Sequence, residues 1–203
     1  LPKVRKMVGA FAAARPFREY LCKRQLRLTR RTRRDIKRIK TKRLAKWMSA
    51  CQQEVNAGCA RCELTRAAVL PLRSLERAYL RTRHLHSRID PRDPATIHCT
   101  RVAFKKFRYM VETLADYLPT ADRRYLEALH QYQTLMGDIQ DAEVLRCSFE
   151  KYQLKCRLAA QPARQFRQEL LRRRQALIEK FLKGSGQLLQ FWPPARAARR
   201  HPR

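Results

Sequence analysis

The hydrophobic positions of this chain recur at intervals of three and four residues along most of its length. No segment of strand length alternates convincingly between apolar and polar residues, so the pattern indicates helices. Helices are predicted over residues 3–14, 17–57, 62–89, 95–117, 121–158 and 162–191. Because long helices joined by short connections pack as antiparallel bundles, the predicted fold class is all-α, built from antiparallel helical bundles.

Glycine and proline mark where these predicted helices end. The chain contains only five glycines, and clear stops fall at residues 56–58, 90–94 and 118–119. Gly184 and Gly186 are expected to interrupt the last helix. Residues 1–192 are therefore interpreted as a single helical domain, and the basic segment 193–203 as a disordered tail.

The balance of charge indicates that this helical protein has a polyanionic partner. Lys and Arg number 47 against 17 Asp and Glu, which gives a formal net charge of +30. A charge of that size destabilises the compact state unless counter-ions or a bound anion offset it. Thirteen of the cations and only one acid, Asp35, lie between Lys23 and Lys46. Acids dominate between Glu112 and Glu150, so the helix predicted there is interpreted as scaffold.

Basic side chains form columns when each predicted helix is rotated by about 100° per residue. Two apolar faces are predicted to be buried beside them: Leu28, Thr32, Ile36 and Ile39 on one helix, and Ile97, Phe104, Phe107, Val111, Leu114 and Leu118 on another. The three basic columns consist of Arg27, Arg31, Arg34 and Arg38; of Arg73, Arg77, Arg81, His84 and Arg88; and of His98, Arg101, Lys105 and Arg108.

Such columns are unfavourable by themselves, because like charges four residues apart on a helix repel each other. A solvated charged face remains the alternative for any one column, but three together favour a groove that binds an anion. The guanidinium group matches phosphate oxygens in a bidentate fashion, which favours phosphate over other anions. The columns are therefore predicted to converge on one groove that binds a linear polyanion.

The remaining composition indicates no cofactor, no metal and no membrane association. Seven cysteines at irregular spacings do not suggest a disulfide framework, so a reducing cytoplasm is the expected location. Cys59 and Cys62 have the spacing of metal ligands, but a structural zinc site needs four ligands. No apolar stretch approaches the length of a membrane span.

Two motifs resemble the signatures of a known family, the conserved histidine α-helical domain, or CHAD. Residues 97–109, IHCTRVAFKKFRY, resemble its hallmark His-x-x-Arg-Val-x-x-Lys-x-x-Arg-Tyr. Residues 135–145, LMGDIQDAEVL, are similar to its second signature, Leu-Gly-Asp-Leu-x-Asp-x-x-Val-Leu. The resemblance implies binding of inorganic polyphosphate, association with polyphosphate deposits, and phosphate contacts from His98, Arg101, Lys105 and Arg108.

The resemblance also implies two pseudo-symmetric four-helix units. Residues 7–21 resemble a degenerate first-unit copy of the second signature, and the matching histidine helix would precede Leu1. An incomplete first unit over residues 1–57 and a second unit over 62–192 are therefore expected.

No catalytic residue is predicted. Asp138 and Asp141 lie three residues apart and would suit Mg²⁺, but the resemblance implies a structural role for them. The chain has neither a phosphate-binding glycine-rich loop nor a Gly-x-Ser-x-Gly elbow. Two alternatives stay open: a basic helical protein that binds RNA or another nucleic acid, and, less favoured, an accessory to the hydrolysis of polyphosphate or nucleotides. Stacking on bases needs exposed aromatic side chains, whereas the aromatic residues here fall mostly on apolar faces.

Overall fold

The computed structural model describes residues 10–61, 64–118, 121–156 and 158–192, with side chains described except at 58–61 and 64–70. Six α-helices lie within these ranges: α1 Ala14–Lys37, α2 Thr41–Arg61, α3 Leu64–His86, α4 Pro94–Thr113, α5 Arg123–Lys155 and α6 Ala160–Gly184. Short 3-10 helices follow at Ala115–Tyr117 and Ser185–Gln190. The described ranges contain no strand, which confirms the predicted all-α class. No described helix combines the length and apolarity that crossing a bilayer requires.

The main difference from the predicted helices is a break inside the segment predicted as one helix over 17–57. The backbone N–H of Arg38 donates to the carbonyl of Asp35 and that of Ile39 donates to the carbonyl of Ile36, which closes the last turn of α1 before α2 begins. Neither glycine nor proline stands at this break, so the sequence carried no stop signal there. Conversely, α2 continues through Gly58, which was predicted to end it.

The other predicted stops agree with the structure wherever it describes them. Asp93 caps α4, because its carboxylate accepts a hydrogen bond of 3.0 Å from the backbone N–H of Ala95, and Pro94 fits the first turn, where no N–H is needed. Gly184 ends α6 and a 3-10 helix follows it. Most of the helix predicted over 3–14, and the tail predicted over 193–203, lie outside the described residues.

Contacts divide the described residues into two compact units. Unit 1 contains the described residues of Leu1–Ala67 and Cys147–Glu169, and unit 2 those of Ala68–Arg146 and Leu170–Arg203. The sequence-based division, with a partial first unit over 1–57 and a second over 62–192, differs from this one. It kept residues 147–169 with the second unit, whereas in the structure they pack within unit 1.

Unit 2 has a large aromatic core. Phe104 is fully buried, with ring centroids 4.9 Å from Tyr132 and 5.8 Å from Phe191. The Tyr132 hydroxyl donates to the Ser185 carbonyl at 3.0 Å, and the Tyr125 hydroxyl donates to the Phe191 carbonyl at 2.5 Å. These bonds satisfy the partly buried hydroxyl groups and tie the C-terminal 3-10 helix to α5. The predicted apolar face of α4 lies in this core: Ile97, Phe104, Phe107 and Val111 are buried, and Leu114 and Leu118 are half-buried.

Unit 1 has a smaller aromatic cluster, formed by Phe17 of α1 with Phe149, Tyr152 and Phe166. Within α1 only Ala14 and Phe17 are buried. The prediction of a buried face at Leu28, Thr32, Ile36 and Ile39 is therefore wrong: all four are exposed, the three aliphatic ones by 53–59%. The physical reason is that the described cluster covers only the first turns of α1.

Alkaline pH should unfold unit 2 through its buried tyrosines. Burial raises the pKa of Tyr125 from its ordinary 10.0 to about 12 and raises the pKa of Tyr132 as well. The folded state then holds protons that the unfolded state releases, so this stability is complete below pH 10 and is lost as pH rises from about 10 towards 12. Stability against urea, measured at steps of pH, should fall across this window.

The matched control replaces an exposed tyrosine. A Tyr125→Phe variant should lose less stability between pH 10 and 12 than the parent chain, whereas Tyr117→Phe should behave like the parent, because Tyr117 is 79% exposed. Equal losses in all three proteins would contradict the assignment to buried tyrosines.

Candidate functional site

The basic column of α4, His98, Arg101, Lys105 and Arg108, lies partly against α5. The Arg108 guanidinium donates to Nδ1 of His130 at 3.0 Å. A Cβ atom placed on Gly137 would lie 3.6 Å from Nε of Arg101. Arg101 precedes Arg108 by seven residues on α4, whereas its neighbour Gly137 follows His130 by seven residues on α5. The two helices therefore run antiparallel at this face. The hallmark helix and the signature glycine are thereby neighbours in space.

Accessibility differs strongly along this α4 column. Lys105 is exposed, with its ammonium group 5.3 Å from the centre of the Tyr109 ring. His98 and Arg101 are half-buried, and Arg108 is only 8% exposed. The column is therefore not a uniform row of solvated charges.

Arg108 contacts three neighbouring side chains, those of His130, Glu112 and Tyr109. Its Nη1 atom lies 3.2 Å from a carboxylate oxygen of Glu112, and its guanidinium lies 4.7 Å from the Tyr109 ring centre. Because a guanidinium only donates hydrogen bonds, Nδ1 of His130 must accept, which places the imidazole proton on Nε2. These contacts fix Arg108 in place and leave it little freedom to reach a ligand.

Three nitrogen atoms of the column are buried and have no hydrogen-bond partner among the described residues. They are His98 Nδ1, Arg101 Nε and Arg108 Nε. The other such side-chain atoms are Gln133 Oε1 and Arg174 Nε. A buried donor without a partner costs about 1–3 kcal/mol, so unpaired guanidinium N–H groups here favour an acceptor supplied from outside the chain.

Unit 1 contains a basic groove of about 660 Å³ between α1 and the C-terminal end of α5. Of its ten lining side chains seven are cationic and none is acidic; the basic groove is lined by Tyr20, Arg24, Arg27, Leu28, Arg30, Arg31, Arg34, Lys151, Leu154 and Lys155. The nearest described ion pair is loose, with Arg31 Nε 3.8 Å from Asp35 and both side chains exposed. The groove is thus a cationic surface with almost no internal compensation.

The structure brings together three of the four arginines predicted on this helix. Arg27, Arg31 and Arg34 line the basic groove, whereas Arg38, the C-cap of α1, does not. Sequence reasoning missed Arg24, Arg30, Lys151 and Lys155. The periodicity of α1 could have revealed Arg24, which continues the same column one turn earlier. The two lysines were overlooked because they follow the acid-rich segment that was interpreted as scaffold.

The column of α3 lies elsewhere in unit 2. Arg77 and Arg81 line a groove of about 390 Å³ together with Lys106 of α4. At about 100° per residue, Lys106 lies roughly 150° around α4 from Arg101 and Arg108. His98, Arg101 and Arg108 line neither this groove nor the apolar groove that adjoins it, whereas Lys105 of the α4 column lines the adjoining groove together with Lys106.

The other residues of the α3 column, Arg73, His84 and Arg88, are exposed and line neither of these grooves. Nη1 of Arg88, in the turn after α3, lies 3.4 Å from Nε2 of His84 in the last turn of that helix. These three side chains are solvated in the described structure.

Carboxylates and metal-ligand clusters are scarce around these surfaces. Within the described ranges no group of three or more His, Cys, Asp or Glu residues is arranged to hold a metal ion. Asp138 and Asp141 both interact with other side chains or backbone. The side chains of Cys59 and Cys62 lie outside the described part of the chain.

Comparison with known proteins gives one match. A family model with the description CHAD domain matches residues 3–150. The matched range includes both motifs and the α1 wall of the basic groove, while Lys151 and Lys155 follow directly after it. Among curated proteins and solved structures, none matches the chain significantly.

Gly137 should tolerate a methyl group but not a long side chain. A Cβ atom 3.6 Å from Arg101 is an ordinary van der Waals contact, and alanine is favoured over glycine inside a helix by up to about 1 kcal/mol. Gly137→Ala should therefore raise the free energy of unfolding, whereas Gly137→Leu should lower it by displacing the Arg101 guanidinium. Urea denaturation of both variants measures this, and a loss of stability in Gly137→Ala would contradict the geometry.

Proposed function

The chain belongs to the CHAD family, and from that premise we propose that it binds inorganic polyphosphate without catalysis. The observation that carries the proposal is the basic groove of unit 1, where seven cations and no acid line about 660 Å³. Polyphosphate offers a flexible line of phosphate groups whose oxygens match guanidinium and ammonium donors. A bound polyanion would offset the repulsion that these cations exert on one another.

The shape of the basic groove favours a linear ligand. Arg24, Arg27, Arg31 and Arg34 follow one another at three, four and three residues, so their column extends for about 15 Å along α1. Lys151 and Lys155 line the same groove from α5. Successive phosphates along a chain would therefore meet cations from both walls.

The column of α4 supports a second set of phosphate contacts in unit 2. Family membership directs attention to His98, Arg101, Lys105 and Arg108, and His98 and Arg101 are half-buried side chains that each have a nitrogen without a hydrogen-bond partner among the described residues. We assign contact to His98, Arg101 and the exposed Lys105. Arg108 is a positioning residue in this proposal, because Glu112 and His130 already hold it.

The groove is suited to hold a phosphate chain and not to cleave it. Hydrolysis of phosphoanhydrides generally needs carboxylates that bind metal ions, and none lines the basic groove. In a reducing cytoplasm, such a module would attach a protein to polyphosphate deposits.

Nucleic acid is the competing ligand, since its backbone also presents a line of phosphates. Binding of single strands normally adds stacking of bases on exposed aromatic rings. The only aromatic side chain of the basic groove is Tyr20, and its ring packs 5.0 Å from Tyr152 and 6.4 Å from Phe17. Tyr20 belongs to the core cluster of unit 1, which disfavours a role in stacking.

Removal of single groove cations should reduce the salt dependence of polyphosphate binding. If the seven cations release counter-ions as they do on single-stranded nucleic acid, the logarithm of the association constant should fall with the logarithm of salt concentration with a slope of about −5. Arg27→Ala and Lys151→Ala should each make the slope shallower by about 0.7. Titration of the full chain with long polyphosphate across a salt series measures both quantities.

The matched control is Arg33→Ala, which removes the same charge from the same helix at an exposed position outside the groove. Its slope should stay close to that of the parent chain. Equal changes in all three variants would show that only net charge matters, and would remove the basic groove from the proposal.

Long-chain polyphosphate should displace single-stranded RNA from the full chain at lower phosphate concentration than RNA needs to displace polyphosphate. The reason is that phosphate contacts are available to both ligands, whereas stacking surfaces are not exposed in the groove. Competition at fixed salt with one labelled ligand measures the order, and the reverse order would favour nucleic acid as the ligand.

Incubation with polyphosphate and Mg²⁺ or Mn²⁺ should leave the length of the polymer unchanged, because the groove supplies no carboxylate for a metal ion. Electrophoretic sizing of the polymer over time measures this. Progressive shortening that is lost in Arg27→Ala would instead show an enzyme.

A further inference from the structure

The groove between α3 and α4 in unit 2 has two chemically different ends, which together define the α3–α4 groove. Its cationic end, about 390 Å³, is lined by Ser74, Arg77, Ala78, Arg81, Ala103, Lys106 and Met110. Its apolar end, about 560 Å³, is lined by Pro71, Val102, Lys105, Lys106, Tyr109, Met110, Thr113 and Leu114. Lys106 and Met110 line both ends, so the two adjoin.

The two ends follow one another along α3, where Pro71 lines the apolar end and Ser74, Arg77 and Arg81 line the cationic end. On α4 the two ends lie side by side, because the apolar end is lined by residues between positions 102 and 114 and the cationic end by residues between 103 and 110. The ten residues from Pro71 to Arg81 span about 15 Å along α3. A molecule lying in the groove would meet cations at one end and apolar side chains at the other.

The cationic end is without internal compensation. Arg77, Arg81 and Lys106 form no ion pair with any carboxylate in the described part of the chain. The small side chains of Ala78 and Ala103 lie between them, which leaves room for ligand oxygens close to the helices. Three converging donors of this kind suit a phosphate or diphosphate group.

The apolar end carries the cations Lys105 and Lys106 at its edge, but the other side chains that line it expose mainly hydrocarbon. Val102 is 53% exposed and Tyr109 is 45% exposed, although both are large apolar side chains. Met110 and Leu114 are half-buried beside them. Covering this surface with hydrocarbon removes apolar area from water, whereas covering it with phosphate would not. The volumes of both ends fall in the range of small-molecule pockets.

We propose that the α3–α4 groove binds an amphiphilic organic phosphate. The phosphate head lies between Arg77, Arg81 and Lys106, and an apolar chain extends past Met110 towards Leu114. This site goes beyond polyphosphate binding, because its residues are separate from those of the basic groove. It shares only Lys105 with the polyphosphate contacts assigned to α4. The same head-and-chain chemistry occurs in soluble alkyl phosphates and in the headgroup region of acidic lipids, and the test distinguishes these sources.

The test titrates the full chain with decyl phosphate as monomer, below the concentration at which it aggregates. Calorimetry at fixed ionic strength compares it with inorganic phosphate and with decanol. Decyl phosphate should bind at least roughly tenfold more tightly than either, because only it engages both ends of the groove. Equal affinity of decyl phosphate and inorganic phosphate would overturn the proposal.

Substitutions at exposed positions locate the binding. The double variant Arg77→Ala/Arg81→Ala should weaken binding of decyl phosphate by roughly tenfold or more. Val102→Asp should weaken it comparably, since it places a negative charge at the apolar end. The matched control, Arg73→Ala/Arg88→Ala, removes the same charge from α3 and from the turn that follows it, outside the groove, and should bind like the parent chain. If both double variants lost affinity for decyl phosphate equally, net charge alone would explain the loss, and the proposed site would be overturned.

Two further experiments distinguish this site from a lipid-binding surface and from the basic groove. Vesicles that contain phosphatidate test the lipid surface, and binding to vesicles without binding to monomeric decyl phosphate would overturn the groove as the site. Arg27→Ala should leave the affinity for decyl phosphate unchanged, while Arg77→Ala/Arg81→Ala remains able to bind long polyphosphate through the basic groove. Failure of either function can thus be assigned to its own groove.

Discussion

Mutual repulsion among cationic side chains is the constraint under which this chain folds, with 47 Lys and Arg against 17 acids. The described carboxylates compensate it at a few places: Glu143 is bonded to Arg146 and Arg174 in unit 2, and Glu112 to Arg108. None of these paired residues lines the basic groove or the cationic end of the α3–α4 groove. Any anion that binds in these grooves stabilises the folded state, because the unfolded chain does not bring these cationic side chains together.

Basic residues that look equivalent in the sequence have different roles because they are buried to different extents. Lys105 and Arg108 stand three residues apart in one motif, yet one is exposed and the other is enclosed by Glu112, His130 and Tyr109. The enclosed guanidinium fixes the face of α4 against α5, and the exposed ammonium remains available to solvent and ligand. A motif that lists both as basic does not separate these roles, because they are set by the neighbouring helix.

The sequence predicts periodicity well and packing poorly, and two helices show why. The apolar face of α4 was predicted correctly, since Ile97, Phe104 and Phe107 are buried in the core of unit 2. The same reasoning failed for Leu28 and Ile36, because periodicity reports that a face is apolar and not that another element covers it. Likewise, rotation of each helix gave the basic columns, but which columns share a groove depends on helix pairing. Lys106 was missed for that reason.

The paired contacts of Arg101 with Gly137 and of Arg108 with His130 also limit how the chain can change in length. One residue inserted into α5 between positions 130 and 137 would turn all later side chains by about 100° and put a different residue against Arg101. A heptad is nearly two full turns, so an insertion of seven residues would restore the face with a drift of only about 20°.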